Sequence, residues 1–131
     1  MPKGKIMVVD DEEDVRETIR LQLESENYNV IEAGDGEEAI KLLKSEDNLT
    51  NCGLILCDIR MPKVNGVEYI SYLREQAPGI PIVVITGYPD TDLAVGLMNK
   101  GVKNYLVKPV ESEKLIRVVN KLIAEGKDVG L

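Results

Sequence analysis

Lys5-Ile6-Met7-Val8-Val9-Asp10-Asp11-Glu12-Glu13 is the stretch from which the fold can be read. Residues 6–9 are apolar one after another, so both faces of the segment need cover, which is the pattern of a strand inside a parallel sheet flanked by helices. The run breaks into four acidic residues, and beyond them Val15, Ile19 and Leu23 recur at i, i+4 and i+8, one side of a helix. Strand, acidic turn and helix follow one another directly.

The same alternation continues along the chain. Residues 54–57 and 80–85 are further doubly apolar runs, whereas 28–33 mixes Asn29 and Glu32 with Tyr28, Val30 and Ile31, and 104–107 is short, so these two suit sheet edges. Between them Ala39, Ile40 and Leu43, then Val67, Ile70 and Leu73, keep helical spacing. A fourth helix is expected over about 91–100, weakened by Gly96 at its middle, which costs about 1 kcal/mol relative to Ala. A fifth, over about 111–124, carries Leu115, Ile116, Val118, Val119, Leu122 and Ile123, a stripe broad enough to serve the core and a partner alike. Five β-α units with right-handed crossovers leave an α/β fold, a doubly wound, five-stranded parallel sheet that is flavodoxin-like (βα)5 if its strands take the order 2-1-3-4-5. Residues 1–125 form one domain, and 126–131, rich in Gly, read as a flexible tail or truncated linker.

Composition narrows the function. The chain has 131 residues, enough for one well-buried core, and no apolar tract long enough to span a membrane. Lys plus Arg number 16 against 23 Asp plus Glu, a formal charge of -7 that repels a phosphate backbone and argues against direct nucleic acid binding. There is no His, which removes His-based acid-base chemistry and His metal ligands. Cys52 and Cys57 alone cannot make a zinc site and read as reduced core residues. The N-terminus lacks a signal-peptide apolar region, so a cytoplasmic location is the default expectation.

Ligand sites of such sheets lie at the carboxyl ends of the strands. The residues there are Asp10 and Asp11 after the first strand, Asp58 after the third, Thr86 after the fourth and Lys108 after the fifth. No strand end carries a glycine-rich phosphate loop, so nucleotide-binding readings fail. If the first and third strands are adjacent, as that order has them, three carboxylates converge, and two unit charges about 4 Å apart repel by about 4 kcal/mol at a surface-like dielectric. They call for a cation, and hard oxygen donors with open positions suit Mg²⁺. With metal and the Lys108 ammonium present, Asp58 stays ionised and can attack phosphorus, giving an aspartyl phosphate whose oxygens face Mg²⁺, the Thr86 hydroxyl and Lys108.

At this point the sequence resembles the receiver domain of two-component response regulators, a chemotaxis-regulator-like phosphoacceptor. The resemblance rests on Asp10-Asp11, Asp58-Ile59-Arg60-Met61-Pro62 followed by Gly66, Thr86-Gly87, and Tyr105 ahead of Lys108-Pro109, and it covers nearly the whole chain. It implies that Asp58 accepts phosphate from a sensor histidine kinase or phosphotransfer protein. It implies too that Asp11, Asp58 and the Arg60 backbone carbonyl bind Mg²⁺, with Asp10 reaching it through water. The resemblance also implies a cis Lys108-Pro109 bond and a switch in which Thr86 moves toward the phosphoryl oxygens while Tyr105 turns inward. The implied readout surface is the fourth helix, fifth strand and fifth helix, contacting a downstream protein or output domain, with a homodimer on phosphorylation as a further partner. In the family the residues two past the Asp and two past the Thr, here Arg60 and Tyr88, tune phosphoryl lifetime. Such a domain catalyses its own phosphorylation and dephosphorylation but is not a turnover enzyme.

Each group also has a plain structural reading. Residues 10–13 suit the first turn of a helix, Asp58 and Thr86-Gly87 suit turns, Lys108-Pro109 a helix entry, and Tyr105 a half-buried edge position. Those readings leave unexplained why acid, acid, hydroxyl and ammonium share one sheet edge. Two rival functions remain. A haloacid-dehalogenase-type phosphatase also forms an aspartyl phosphate, but it resembles Asp-x-Asp, which Asp58-Ile59-Arg60 lacks. The other is a phosphorylation-independent scaffold; receivers degenerate in that way usually lose an acid, the Thr or the Lys, all of which are kept here.

Overall fold

The computed structural model describes residues 3–45, 51–61 and 64–129, with the side chains of 60–67, 69 and 127–129 left aside. Pro62 and residues 130–131 of the expected tail therefore lie outside the described residues. In chain order the elements are β1 (Lys5–Val9), α1 (Glu13–Ser25), β2 (Asn29–Ala33), α2 (Gly36–Leu43), β3 (Cys52–Cys57), β4 (Arg60–Met61), β5 (Val64–Asn65), α3 (Gly66–Gln76), β6 (Ile82–Thr86), α4 (Thr91–Asn99), β7 (Asn104–Val107) and α5 (Ser112–Val129).

Five strands form one parallel sheet in the order β2-β1-β3-β6-β7, with the two weakly apolar strands at its edges. Counted without the two-residue antiparallel ribbon β4–β5, this is the expected order 2-1-3-4-5. The doubly apolar runs explain the layering. In β1 Met7 and Val9 join the core on one face, Ile6 and Val8 the core on the other; β6 divides the same way, Ile82 and Val84 against Val83 and Ile85. Ala39 and Leu43 of α2, Ile70 and Leu73 of α3 and Leu97 of α4 complete the first core. Ile19 and Leu23 of α1 with Leu115, Val119, Leu122 and Ile123 of α5 complete the second. Both Cys52 and Cys57 are buried free thiols. Among the described residues no helix is long and apolar enough to cross a membrane.

Local signals set the element ends. Asp35 and Asp90 cap α2 and α4, accepting hydrogen bonds from Glu38 N at 2.8 Å and Leu93 N at 3.0 Å. Gly101, at φ 100°, ends α4 in the left-handed region, and Val102 N donates back to the Leu97 carbonyl. Gly53 admits α5 onto β3, since a Cβ there would lie 2.9 Å from Ile123 Cδ1.

The structure corrects two expectations and decides between two readings of a third feature. The run beginning at Ile80 enters the sheet only at Ile82, because Pro81 has no N–H for the ladder, although its carbonyl accepts from Ile55 N. The last helix does not stop near 124, and Gly126 lies inside α5 rather than opening a tail. One Gly, at about 1 kcal/mol, does not end a helix anchored by buried Leu122 and Ile123 just upstream. The broad stripe of α5 is taken up by the core, with Ile116 and Val118 packed against it as well.

Candidate functional site

Register brings the acids together. Val9 pairs with Cys57 across β1 and β3, so Asp10 and Asp58 leave the sheet side by side. Backbone bonds fix both: Asp58 N donates to the Val9 carbonyl at 2.9 Å and Asp10 N to the Ala33 carbonyl at 3.1 Å. Thr86 ends β6 opposite Val107 of β7, and Lys108 N donates to the Thr86 carbonyl at 2.8 Å. Asp10, Asp58 and Thr86 are the buried polar residues of the described chain, at 2%, 4% and 0% exposure, on one sheet edge.

Lys108 Nζ lies 2.8 Å from Asp10 Oδ2, 2.8 Å from Asp58 Oδ2 and 3.2 Å from Glu12 Oε1. Burial opposes its charge, but hydrogen bonds and attraction from Asp10 and Asp58 outweigh it and hold the ammonium above its ordinary pKa. Burial raises the pKa of Asp10, with help from the negative charge of Asp58, against the lowering effects of Lys108 and of Glu12 N, which donates to Asp10 Oδ1 at 2.8 Å. The buried Cys57 thiol, just before Asp58, is pushed up for the same two reasons and stays a neutral core residue.

Asp10, Asp11, Glu12 and Asp58 each offer a carboxylate oxygen, all within 4.8 Å of one another. This hard, all-oxygen donor set fits Mg²⁺, and one ammonium against four carboxylates leaves negative charge for a cation to balance. Arg60 enters the ribbon β4 directly after this cluster, with its side chain outside those described. The Lys108-Pro109 peptide bond is cis. The Thr86 hydroxyl accepts from Tyr88 N at 3.1 Å. Tyr105 stands apart from the carboxylates: it is half-buried, and its hydroxyl accepts from Asp90 N at the head of α4 at 3.4 Å.

Two residues were not legible as site residues. Glu12 reads as a helix-capping acid, yet it makes no side-chain cap bond and reaches Lys108 instead. Arg16 lies between Val15 and Glu17 on a helix face, and only distances show its side chain turned back to the Asp10 carbonyl. The acidic run itself was the signal available for Glu12; Arg16 had none beyond its place in the first turn after that run.

A family model described as the response regulator receiver domain matches residues 6–120. The chain is 34% identical over 115 residues to a probable transcriptional regulator, ycf27, of Porphyridium aerugineum, covering 88% of this chain and 46% of that protein. It is 29% identical over 125 residues to the transcriptional regulatory protein FixJ of Bradyrhizobium diazoefficiens, covering 95% and 59%. The chain thus spans about half the length of these curated relatives. Among solved structures, a response regulator receiver domain protein from Clostridium thermocellum superposes with TM-score 0.88 at 28% identity, covering 96% of this chain and 98% of that one. A CheY-like receiver domain protein from Methanospirillum hungatei also gives 0.88, at 26% identity, covering 95% and 97%. With the strand order, the acidic edge and a family match over nearly its whole length in agreement, the chain belongs to the response regulator receiver domains, the phosphorylation-dependent switches of two-component systems.

Proposed function

We propose that this receiver is phosphorylated on Asp58 by a sensor histidine kinase or phosphotransfer protein, with Mg²⁺ held by Asp10, Asp11, Asp58 and the Arg60 carbonyl. The observation that carries the reading is the buried Asp58 carboxylate, 2.8 Å from Lys108 Nζ and inside the cluster of oxygen donors. Bound there, Mg²⁺ would offset negative charge on the transferring group. Asp58 supplies the attacking oxygen: its new O–P bond forms as the bond from phosphorus to the donor breaks, and the donor leaves with that electron pair. Lys108 is already oriented by Asp10, Asp58 and Glu12, so its charge is in position without reorganisation.

Thr86 then acts as the sensor, its hydroxyl turning from Tyr88 N to a phosphoryl oxygen, and Tyr105 follows inward, releasing Asp90 N at the head of α4. A phosphoryl group shifts the equilibrium by the bonds it makes in one state alone. The readout surface is α4, β7 and α5. Four large apolar side chains stay exposed near its α4–β7 side, Tyr88 at 64%, Val95 at 55%, Met98 at 46% and Val107 at 45%. Val95, Met98 and Val107 line a groove of about 430 Å³ there with Tyr105. A downstream protein, an output domain or a second phosphorylated copy is the partner, and the regulators of transcription among its relatives favour an output domain. The working compartment is the cytoplasm.

Incubation with a small acyl-phosphate donor and Mg²⁺, followed by intact mass and a phosphate-release assay, tests this. One retained phosphoryl group per chain is expected. Continuous phosphate release with rapid turnover would make the chain a phosphatase, and no modification would make it a scaffold.

A further inference from the structure

The acidic connection between β1 and α1 has to hold three carboxylates in place, and Arg16 is built into its support. Arg16 Nη1 donates to the Asp10 carbonyl oxygen at 2.6 Å, while Nε donates to Glu32 Oε1 on β2 at 3.2 Å. Its side chain is only 18% exposed. Glu32 is itself fixed from the other side, with Oε2 at 3.2 Å from Arg20 Nε one turn along α1. The Arg16 backbone N–H donates to the Glu12 carbonyl, so one residue ties both ends of the segment from Asp10 to Glu12.

The consequence is geometric. Asp10 is held at both of its backbone groups: its N–H, in the peptide from Val9, donates to the Ala33 carbonyl, and its carbonyl, in the peptide to Asp11, accepts from Arg16. The Asp10–Asp11 peptide plane is thereby set, and with it the direction in which the exposed Asp11 carboxylate leaves the chain. The guanidinium is aimed at a carbonyl and at Glu32, so it orders the acidic cluster without taking the place of a cation among its carboxylates. A planar fork with several donors can hold two acceptors in fixed directions; a lysine ammonium on a flexible stem cannot do so in one plane.

We infer that Arg16, anchored by Glu32, is a positioning residue that orients Asp10 and Asp11 for the divalent cation. This inference rests on the reading of Asp10, Asp11 and Asp58 as cation ligands. Groups that orient metal ligands from behind typically carry a 10- to 100-fold share of metal affinity.

The test is calorimetric titration of the whole unphosphorylated protein with Mg²⁺, for wild type, Arg16→Ala, Arg16→Lys and Glu32→Gln, each first checked for folding by circular dichroism. Arg16→Ala is expected to weaken Mg²⁺ about tenfold, with Arg16→Lys and Glu32→Gln between it and wild type. A second readout separates positioning from mere support of the fold. In phosphorylation by a small donor, the Mg²⁺ concentration giving half-maximal rate should rise about tenfold in Arg16→Ala while the rate at saturating Mg²⁺ stays near that of wild type. If Arg16→Ala does not fold, Glu32→Gln decides alone: weakened Mg²⁺ binding supports the inference and unchanged binding overturns it. Wild type binding Mg²⁺ with every variant binding it equally overturns the inference and leaves the metal site standing. Wild type failing to bind Mg²⁺ overturns the metal site itself, and the inference with it.

Discussion

Lys108 carries most of the electrostatic organisation at the site. It sits against Asp10 and Asp58, both almost fully buried, and removing it leaves two carboxylates without their ammonium. Breaking a buried pair from one side costs about 3–5 kcal/mol, and protonation of a carboxylate relieves part of it. In metal-free protein Lys108→Ala should therefore lower the melting temperature at pH 7 and recover some of the loss on acidification. Wild type should behave differently. Because the folded-state pKa of Lys108 is raised, its contribution is fully present below its ordinary value of about 10.5 and is lost as pH rises through the folded value, so urea denaturation should reveal an alkaline decline that Lys108→Ala lacks. At this scale Asp10, Asp58, Thr86 and Lys108 were legible in the sequence, because each directly follows or ends an apolar strand and a parallel sheet delivers all such positions to one edge. Glu12 and Arg16 were not, since an acid beside a helix start and an arginine within one have ordinary duties, and only distances reveal others.

At the scale of elements, α4 stands out. Leu97 alone of its residues is fully buried, Val95 and Met98 are exposed, and Gly96 sits in the middle of the helix. A Cβ at Gly96 would meet nothing within 4 Å, so Gly96→Ala should stabilise the protein by about 1 kcal/mol, read as a higher denaturation midpoint at unchanged slope. A lower midpoint would mean that α4 needs glycine for a reason other than space. The five β-α units were legible from their periodicity, and the glycine in the middle of α4 from the sequence itself. The ribbon β4–β5 was not, for two residues per strand leave no period to detect. The extension of α5 past Gly126 was hidden because the packing that sustains it, Leu122 and Ile123 against the sheet, is tertiary.

The molecule as a whole carries one charged edge and one exposed apolar face. The acids and Lys108 lie at the carboxyl ends of the strands, and Tyr105 on β7 reaches from the core to the head of α4, where the exposed apolar side chains lie. The strand order made the edge foreseeable, while the extent of exposed surface on α4 became measurable only once the core had claimed its share. A cation that binds the folded edge and hardly the unfolded chain must stabilise the whole domain. Mg²⁺ at a hundred times its dissociation constant should add about 2.7 kcal/mol, visible as a rise in melting temperature that Asp11→Asn diminishes. An unchanged melting curve would count against the metal site. The proposed phosphotransfer turns on a single carboxylate oxygen of Asp58. Intact mass after incubation with an acyl-phosphate donor and Mg²⁺ is the decisive measurement: wild type should gain one phosphoryl group and Asp58→Asn none, whereas equal labelling of the two would contradict the assignment.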